Sequence, residues 1–423
     1  MIKFLLFVFV ALLFSACSPA QPKPKQELSK PNQKAFAQED MYILFALRAE
    51  EINDRASASK LFTTLYEKSD KKEYLYRSLQ NDLVMKKYDE VIRRVDALDK
   101  GDDAYLVRLK IIALMGLKKF HKAQTLAVEL LNRTQEVNDY LLVGDIYVQL
   151  GQFGEAVKYL ESAYVKDYNE RILDKMSIIL YVNLQRKKDA IAQLETHTRV
   201  HGCSALICRR LIGFYSNENN IDGLLSVYLR LYTLNKDAEL AKKIVQIYAY
   251  KKDYVKMMDF LENSRSDDKT LLQLYANTKN YTKAYPLATA IYRETGESTF
   301  LGQSAIYEYE SAEKKDDKKM LNEVVRKLKK VVKIDAEPLY LNYLGYILID
   351  HDMDVKSGME YVKKAMKIEP NSAYYLDSLA WGYYKLKECK KAKEVMHRVL
   401  KLEGSDNEEV ILHKKKIDRC LKK

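Results

Sequence analysis

The sequence predicts an all-α fold built of paired helices, and three observations lead to this prediction. Apolar residues recur every three or four positions along most of the chain, which is the period of a helix with one buried face. Prolines and glycines are few, at 7 and 14 in 423 residues, and four of the prolines lie between residues 19 and 31. Asn-Gly or Asp-Gly turns between alternating apolar runs, which indicate paired strands, are missing.

The same two-helix unit occurs twice near the end of the chain. The copies are 35 residues apart in the first helix, from Leu341 to Leu376, and 34 apart in the second, from Gly358 to Ala392. Small residues fall where the two helices of a pair must approach closely, and Pro370 ends the first copy. The first copy has its pattern at Leu341, Leu344, Gly345, Leu348, Gly358, Val362, Ala365 and Pro370, and the second at Leu376, Leu379, Ala380, Tyr383, Ala392, Met396, Val399 and Gly404.

This spacing resembles that of the tetratricopeptide repeat (TPR), and weaker copies extend the resemblance over most of the chain. The segments NYLGY at 342–346 and DSLAWGYYKL at 377–386 are also similar to the last repeats of bacterial envelope lipoproteins of this class. The resemblance implies a right-handed superhelical solenoid of antiparallel helix pairs, in which each pair buries its apolar face on its neighbours. The residues from Asn407 onward then form an amphipathic capping helix.

The first 38 residues have the composition of an export signal followed by a tether. Lys3 precedes an unbroken apolar run of eleven residues, Phe4 to Phe14, which suits a secretory signal and is too short to span a bilayer. The run ends in LFSAC, which resembles the cleavage box of bacterial lipoproteins. This implies a signal peptide over 1–16 and a diacylglycerol with an N-acyl chain on Cys17; ordinary secretory cleavage is the alternative. Residues 17–38, rich in proline and lysine, predict a disordered linker.

The folded body is predicted to have three parts. Residues 39–200 carry TPR-like repeats, residues 201–333 carry degenerate ones, and residues 334–423 carry the two clear repeats and the capping helix. The pattern blurs near residue 200, which fits a bend between two subdomains and a drifted repeat equally well.

The lipoprotein resemblance also implies a location. Ser18 follows the cysteine, where an aspartate would indicate retention at the inner membrane by analogy with enteric bacteria. The outer membrane, on its periplasmic side, is therefore favoured over the outer leaflet of the inner membrane and over the cell surface. The formal net charge is +12, but the lysines are dispersed in pairs and form no arginine-rich block. We therefore expect solvated helix faces and no nucleic-acid partner.

Four cysteines remain once Cys17 is assigned to lipid. Cys389 and Cys420 are equidistant from a turn at Gly404, and such residues face each other in an antiparallel hairpin, so we expect a disulfide between them. Cys203 and Cys208 are five residues apart and can form a second, local bridge only if the backbone there is irregular. Reduced thiols are the alternative for both pairs. No cluster of cysteine and histidine has the spacing of a metal site.

We find no pattern that predicts catalysis or a cofactor. His197 and His201 are four residues apart and can share a helix face, and we expect them to be a solvated pair. Gly-x-Ser-x-Gly elbows and phosphate-binding glycine loops are missing from the sequence. The sequence therefore favours a protein that is not an enzyme.

The TPR resemblance does imply a binding site, the concave wall formed by the first helices of the repeats. Aromatic rings flanked by asparagine and aspartate suit the capture of peptides or helices. Packing against neighbouring repeats is the alternative for these residues. In the last two repeats the wall positions are Asn342, Tyr346, Tyr374, Asp377, Trp381 and Tyr384.

Three functions follow as hypotheses. The first is a non-enzymatic scaffold that binds envelope proteins and supports a secretin, a flagellar or pilus ring, or the β-barrel machinery, as similar lipoproteins do. The second is a peptidoglycan binder or an activator of cell-wall enzymes, for which the positive charge would serve. The third is a hydrolase within the degenerate middle repeats.

Overall fold

A computed structural model describes residues 34–99, 101–402 and 407–420. In these ranges the chain forms 23 α-helices, one π-helical turn and no strand. Cys17, the predicted signal peptide and all but the last few residues of the predicted linker lie outside the described residues. The first helix begins at Glu39, the residue at which the sequence predicts the folded body to start. The prediction of an all-α fold is confirmed.

The chain divides into two compact units, residues 1–210 and 211–423. The division falls within a helix, ten residues beyond the point where the repeat pattern blurs. In the first unit the helices are α1 (Glu39–Glu51), α2 (Arg55–Ser69), α3 (Lys72–Val84), α4 (Tyr88–Leu98), α5 (Ala104–Gly116), α6 (Phe120–Thr134), α7 (Val137–Gln149), α8 (Phe153–Asp167), α9 (Glu170–Ile178, continued by the π-helical Ile179–Asn183) and α10 (Lys187–His201).

Helix α11 (Ala205–Asn217) spans the division, and the second unit contains the remaining helices. These are α12 (Ile221–Asn235), α13 (Ala238–Tyr250), α14 (Tyr254–Ser264), α15 (Asp268–Asn277), α16 (Tyr281–Thr295), α17 (Ser298–Ser311), α18 (Lys318–Ile334), α19 (Pro338–Asp350), α20 (Val355–Ile368), α21 (Ala373–Lys385), α22 (Cys389–Val399) and α23 (Glu408–Cys420). None of the helices in the described ranges is both long and apolar enough to cross a membrane.

Recurrent three-residue turns make consecutive helices antiparallel. The middle residue of these turns has a positive φ, which is between 58° and 62° at Lys86, Lys118 and Lys387. In the turn between α7 and α8 a glycine, Gly151, takes the same position. In the α3–α4 turn the Lys87 N–H donates to the Asp82 carbonyl at 2.9 Å, a hydrogen bond that closes the end of the first helix. Because this hydrogen bond fixes the conformation of the turn, Lys86 adopts a left-handed backbone conformation that glycine usually adopts.

The helices of the α19–α20 pair touch through glycine. A Cβ atom added at Gly345 would lie 2.6 Å from the Gly358 carbonyl oxygen and 2.6 Å from Val362 Cγ2. Only a residue without a side chain allows this approach, so the predicted role of the small residues is confirmed for this pair.

The core is a series of apolar clusters, most of them shared by two or three consecutive helices, and the longest runs from Tyr232 to Phe300 over α12 to α17. One cluster joins α5, α6 and α7 through residues such as Ile111, Ala127 and Ile146, all essentially inaccessible to solvent. Another runs from Leu301 to Leu348 over α17, α18 and α19. It crosses residue 334, where the predicted degenerate repeats give way to the clear ones, without a break. Within each unit the chain is therefore a TPR-like array of helix pairs.

Candidate partner-binding site

The capping helix α23 lies on the first helices of the two clear repeats. His413 Nδ1 is 2.8 Å from Asp377 Oδ2 on α21, and the imidazole stacks on the Trp381 indole with 4.0 Å between ring centroids. The Tyr346 hydroxyl on α19 donates to the Glu409 carboxylate. Val410 and Ile417 of α23 are buried in the same cluster as α21. The helix therefore covers the surface that the sequence predicts to be an open groove.

The prediction of an open wall is wrong for three of its residues. Asn342, Asp377 and Trp381 are only 8%, 5% and 3% exposed. The physical reason is that α23 also needs a surface on which to bury its own apolar face. The sequence pattern marks these positions as pointing away from the partner helix of the pair, but it does not show what covers them.

The Trp381 side chain is held by residues of three helices. Its indole stacks between Tyr384, at 4.6 Å between centroids, and His413, and Nε1–H donates to Asp350 Oδ1 at 2.8 Å. Burial and the neighbouring Glu409 carboxylate raise the pKa of the half-buried Tyr346 hydroxyl. Both aromatic rings therefore serve the docking of α23.

Tyr374 is the predicted groove residue that stays most open, with 54% of its surface exposed. It lines a cleft of about 1120 Å³ with Ile411 and Leu412 of α23, which are 40% and 49% exposed. Lys279, Glu408 and Lys415 stand around these apolar side chains. We call this space the Tyr374 cleft.

A second cleft, of about 880 Å³, lies at the C-terminal end of α23. The Cys389–Cys420 disulfide forms part of its lining. We call this space the basic cleft, and its other lining residues are Trp381, Tyr384, Lys385, Lys387, Lys416 and Arg419.

Both predicted cysteine pairs are joined in the structure. Cys389 begins α22 and Cys420 ends α23, with 5.8 Å between their Cα atoms. Cys203 and Cys208 are joined with a Cα distance of 5.7 Å, and Cys203 lies in the non-helical segment that follows Gly202. That glycine has a φ of +85°, so the backbone has the irregularity that a bridge across five residues needs.

The expectation of a solvated histidine pair is correct for His201 and wrong for His197. His197 is 4% exposed, and its Nδ1 is 2.7 Å from the Tyr164 hydroxyl of α8 while its Nε2 is 3.3 Å from Glu170 Oε1 of α9. Its partners come from helices 27 and 33 residues away, so the local sequence carries no signal for this burial. Burial raises the pKa of Tyr164, and Tyr168 and Glu170 add to this effect.

The histidines line an apolar cleft of about 560 Å³ between α8 and α10, together with Tyr168, Val165 and Val200. Within the described ranges, no three side chains of histidine, cysteine, aspartate or glutamate form a group that could hold a metal ion.

No family model and no curated protein matches this chain. Solved structures do resemble it. A chain of the APC/C hetero-tetramer Cut9-Hcn1 aligns with 92% of this chain and 97% of its own length, at 11% identity and a TM-score of 0.36. MamA from Desulfovibrio magneticus RS-1 aligns with 40% of this chain and 97% of its own length, at 18% identity and a TM-score of 0.33. The TPR domain of P58(IPK) aligns with 91% and 99%, at 11% identity and a TM-score of 0.28.

These TM-scores are low and carry no argument about function. The TPR-like architecture rests instead on the helix pairs, their short turns and the clusters that join neighbouring pairs.

Proposed function

We propose that this protein is a scaffold that binds other proteins through the Tyr374 cleft of its second unit. The observation that supports this function best is the group of apolar side chains exposed there, Tyr374, Ile411 and Leu412. Apolar side chains gathered in one cleft and rimmed by charges are typical of protein-binding surfaces. The rim carries both signs, with Lys279 and Lys415 beside Glu408, which gives a partner's polar groups defined positions.

The partner is proposed to be an envelope protein that presents a short helix or an extended peptide. An aromatic ring and two branched aliphatic side chains form the kind of apolar patch on which the anchor residues of such a segment pack. The inner wall around Trp381 is not the proposed docking site, since α23 already occupies it.

We further propose that the protein is a lipoprotein of the outer membrane that faces the periplasm. The proposal is supported by the apolar run before Cys17, the LFSAC segment and the polar stretch that follows. Several acyl chains on Cys17 would anchor the protein stably, and the proline-rich linker would hold the repeats away from the lipid. In this setting the scaffold supports an assembly such as a secretin, a flagellar or pilus ring, or the β-barrel machinery.

A photo-crosslinking residue placed at Tyr374 in living cells tests the scaffold function. We expect it to capture one or a few envelope proteins, identified by mass spectrometry. The matched control is the same residue at Tyr250, a tyrosine of α13 that is 77% exposed, where no such capture is expected. Loss of the adducts in the Leu412→Ala variant would link them to the cleft. Equal capture at both positions, or none at Tyr374, would contradict the proposal.

The anchor is tested separately. Cys17→Ser should move the protein from the membrane fraction to the soluble periplasmic fraction, and labelling with a palmitate analogue should disappear. Retention at the membrane would reject the lipid anchor and leave the scaffold function open to its own test.

A further inference from the structure

We propose that the basic cleft binds an acidic segment of a protein partner. The inference rests on the proposed scaffold function and adds a second, electrostatic contact to it. The cleft shares Trp381 and Tyr384 with the predicted groove, but its other lining residues belong to the end of α21, the α21–α22 turn, the start of α22 and α23, which the predicted groove did not include.

The lining of the basic cleft holds four cations and no carboxylate among its described residues. Lys385 is already satisfied, since its ammonium donates to the Asp350 carbonyl at 2.6 Å and to Asp352 Oδ2 at 2.7 Å. Lys387, Lys416 and Arg419 are exposed. In the part of the chain that the structure describes, none of these three has an acidic partner within 4.0 Å.

The acids next to these cations in the sequence are committed elsewhere. Glu388 pairs with Lys391 at 2.5 Å, and Asp418 pairs with Lys414 at 2.7 Å. The three cations therefore form a concentration of positive charge that a ligand can neutralise. A carboxylate that enters this space gains attraction without displacing an existing ion pair.

The elements that carry these cations are held by aromatic packing, a turn and a disulfide. The ammonium groups of Lys416 and Lys385 lie 5.0 Å and 5.6 Å from the centroid of the Trp381 indole, which attracts them through its π-face. The backbone of Lys387 occupies the left-handed position of the α21–α22 turn. The disulfide between Cys389 and Cys420 holds the end of α23 beside that turn. The backbone that carries Lys387 and the C-terminal end of α23 is therefore held in place before binding, so less entropy is lost when a ligand arrives.

The size and chemistry of the cleft favour a peptide. A volume of about 880 Å³ is within the range of sites that enclose a small ligand or a few side chains. The half-buried Tyr384 offers an aromatic surface next to the cations, so an acidic side chain and an apolar one can be bound side by side. Nucleic acid fits less well, because proteins that bind a strand contact its phosphates along an extended positively charged groove, whereas these cations form one compact cluster.

Trp381 is the only tryptophan of the chain and lines this cleft, so its fluorescence reports directly on binding. The probe is a synthetic peptide of alternating glutamate and alanine, and the control peptide has glutamine in place of glutamate. We expect the acidic peptide to change the Trp381 emission in a saturable way, with an affinity that falls as salt is added. The glutamine peptide should leave the emission unchanged.

The double variant Lys416→Glu/Arg419→Glu should weaken the binding of the acidic peptide by about tenfold or more, since like charges then face each other. The matched control is Lys364→Glu, which reverses an exposed lysine whose ammonium lies over the Tyr361 ring at 5.3 Å on α20. The affinity of the Lys364→Glu variant for the acidic peptide should stay within about twofold of the wild-type value. If charge reversal unfolds α23, the Lys416→Gln/Arg419→Gln variant replaces it in this experiment. Circular dichroism checks that this variant is folded, and it should also bind the acidic peptide more weakly than the wild type.

Two results would overturn the inference. One is an equal loss of affinity in the Lys364→Glu control, and the other is a short oligonucleotide of the same charge that binds as tightly as the acidic peptide. Either result would leave the capture experiment at Tyr374 unaffected, so failure of the basic cleft is distinguishable from failure of the scaffold function.

Discussion

At the scale of single residues, the surroundings of Trp381 show how one side chain connects three helices. The indole meets Tyr384 on its own helix, His413 on α23 and Asp350 at the end of α19. His413→Ala should remove one stacking face and leave the Asp377 carboxylate without its partner. We expect a loss of about 1–3 kcal/mol in the free energy of unfolding of the second unit, with a red-shifted Trp381 emission.

The matched control for this prediction is His397→Ala, because His397 is exposed on α22. Urea unfolding followed by fluorescence measures both variants. An unchanged emission spectrum in His413→Ala would mean that α23 does not rest on the indole.

Glu39 gives a residue-scale prediction about pH. The Lys71 ammonium, 2.6 Å from Glu39 Oε1, lowers the pKa of this carboxyl from 4.5 to about 2, and the Tyr74 hydroxyl and the Ala35 N–H add to the effect against the opposing cost of burial. Since the folded pKa is below the unfolded one, the unfolded state binds the proton first as the pH falls. The stabilisation is therefore complete above pH 4.5 and is lost progressively between pH 4.5 and about 2.

Glu39→Gln should lower the free energy of unfolding by about 1–3 kcal/mol near pH 6. The decrease should be smaller near pH 3, because the wild-type protein has already begun to lose the interaction there. Hydrogen exchange in α1, compared between the two proteins at both pH values, measures this difference. A difference that does not change with pH would show that the ionised Glu39 carboxylate does not stabilise α1.

At the scale of helices, the α19–α20 contact depends on glycine. Gly345→Ala would place a methyl group 2.6 Å from the Gly358 carbonyl oxygen, so the two helices must separate. We expect a loss of about 1–3 kcal/mol in the free energy of unfolding, as for other overpacked contacts. Gly154→Ala in α8 is the control, because a Cβ atom there would meet nothing within 4 Å.

The Gly154→Ala variant should be neutral or gain up to about 1 kcal/mol, since alanine is the better helix former. Chemical unfolding of the two variants under the same conditions gives both values. Equal behaviour of the two variants would show that the close approach of α19 and α20 has no energetic weight.

The Cys389–Cys420 disulfide is the second prediction at the helix scale. It closes a loop of 31 residues and therefore restricts the unfolded chain, which corresponds to at most about 3–4 kcal/mol. Cys389→Ser/Cys420→Ser should accelerate hydrogen exchange mainly in α23, because the disulfide ties the C-terminal end of that helix to the start of α22. Cys203→Ser/Cys208→Ser, with a separation of only 5 residues, should cost less, about 2 kcal/mol. Unchanged protection of α23 would mean that its packing alone holds it in place.

At the scale of the whole molecule, the separate clusters predict that damage stays local. Most clusters are shared by two or three consecutive helices and the longest runs from α12 to α17, so the stability of the array is close to a sum of local terms. Gly345→Ala should therefore accelerate hydrogen exchange in α19–α22 and leave α1–α8 unchanged. A uniform acceleration over both units would show instead that the chain unfolds as one cooperative body.

The sequence predicts the helices and many of their buried positions correctly, but it does not predict the burial of some polar and aromatic side chains. The apolar period places Leu341 and Leu376 correctly in buried helix faces, and the predicted start at Glu39 agrees with α1. The burial of Trp381 and His197 was not predictable in the same way. Each depends on partners 27 or more residues away in the sequence, which no local pattern contains.

The sequence by itself determined the helices, their pairing and the positions that are buried within a pair. These properties follow from the spacing of apolar residues along one helix and from short turns, and both are local. Only the tertiary structure decided that α23 covers the inner wall and leaves two clefts along its length. That arrangement depends on contacts between residues far apart in the sequence, such as Tyr346 and Glu409, which are 63 residues apart. It also depends on which of several exposed surfaces the apolar face of α23 packs against.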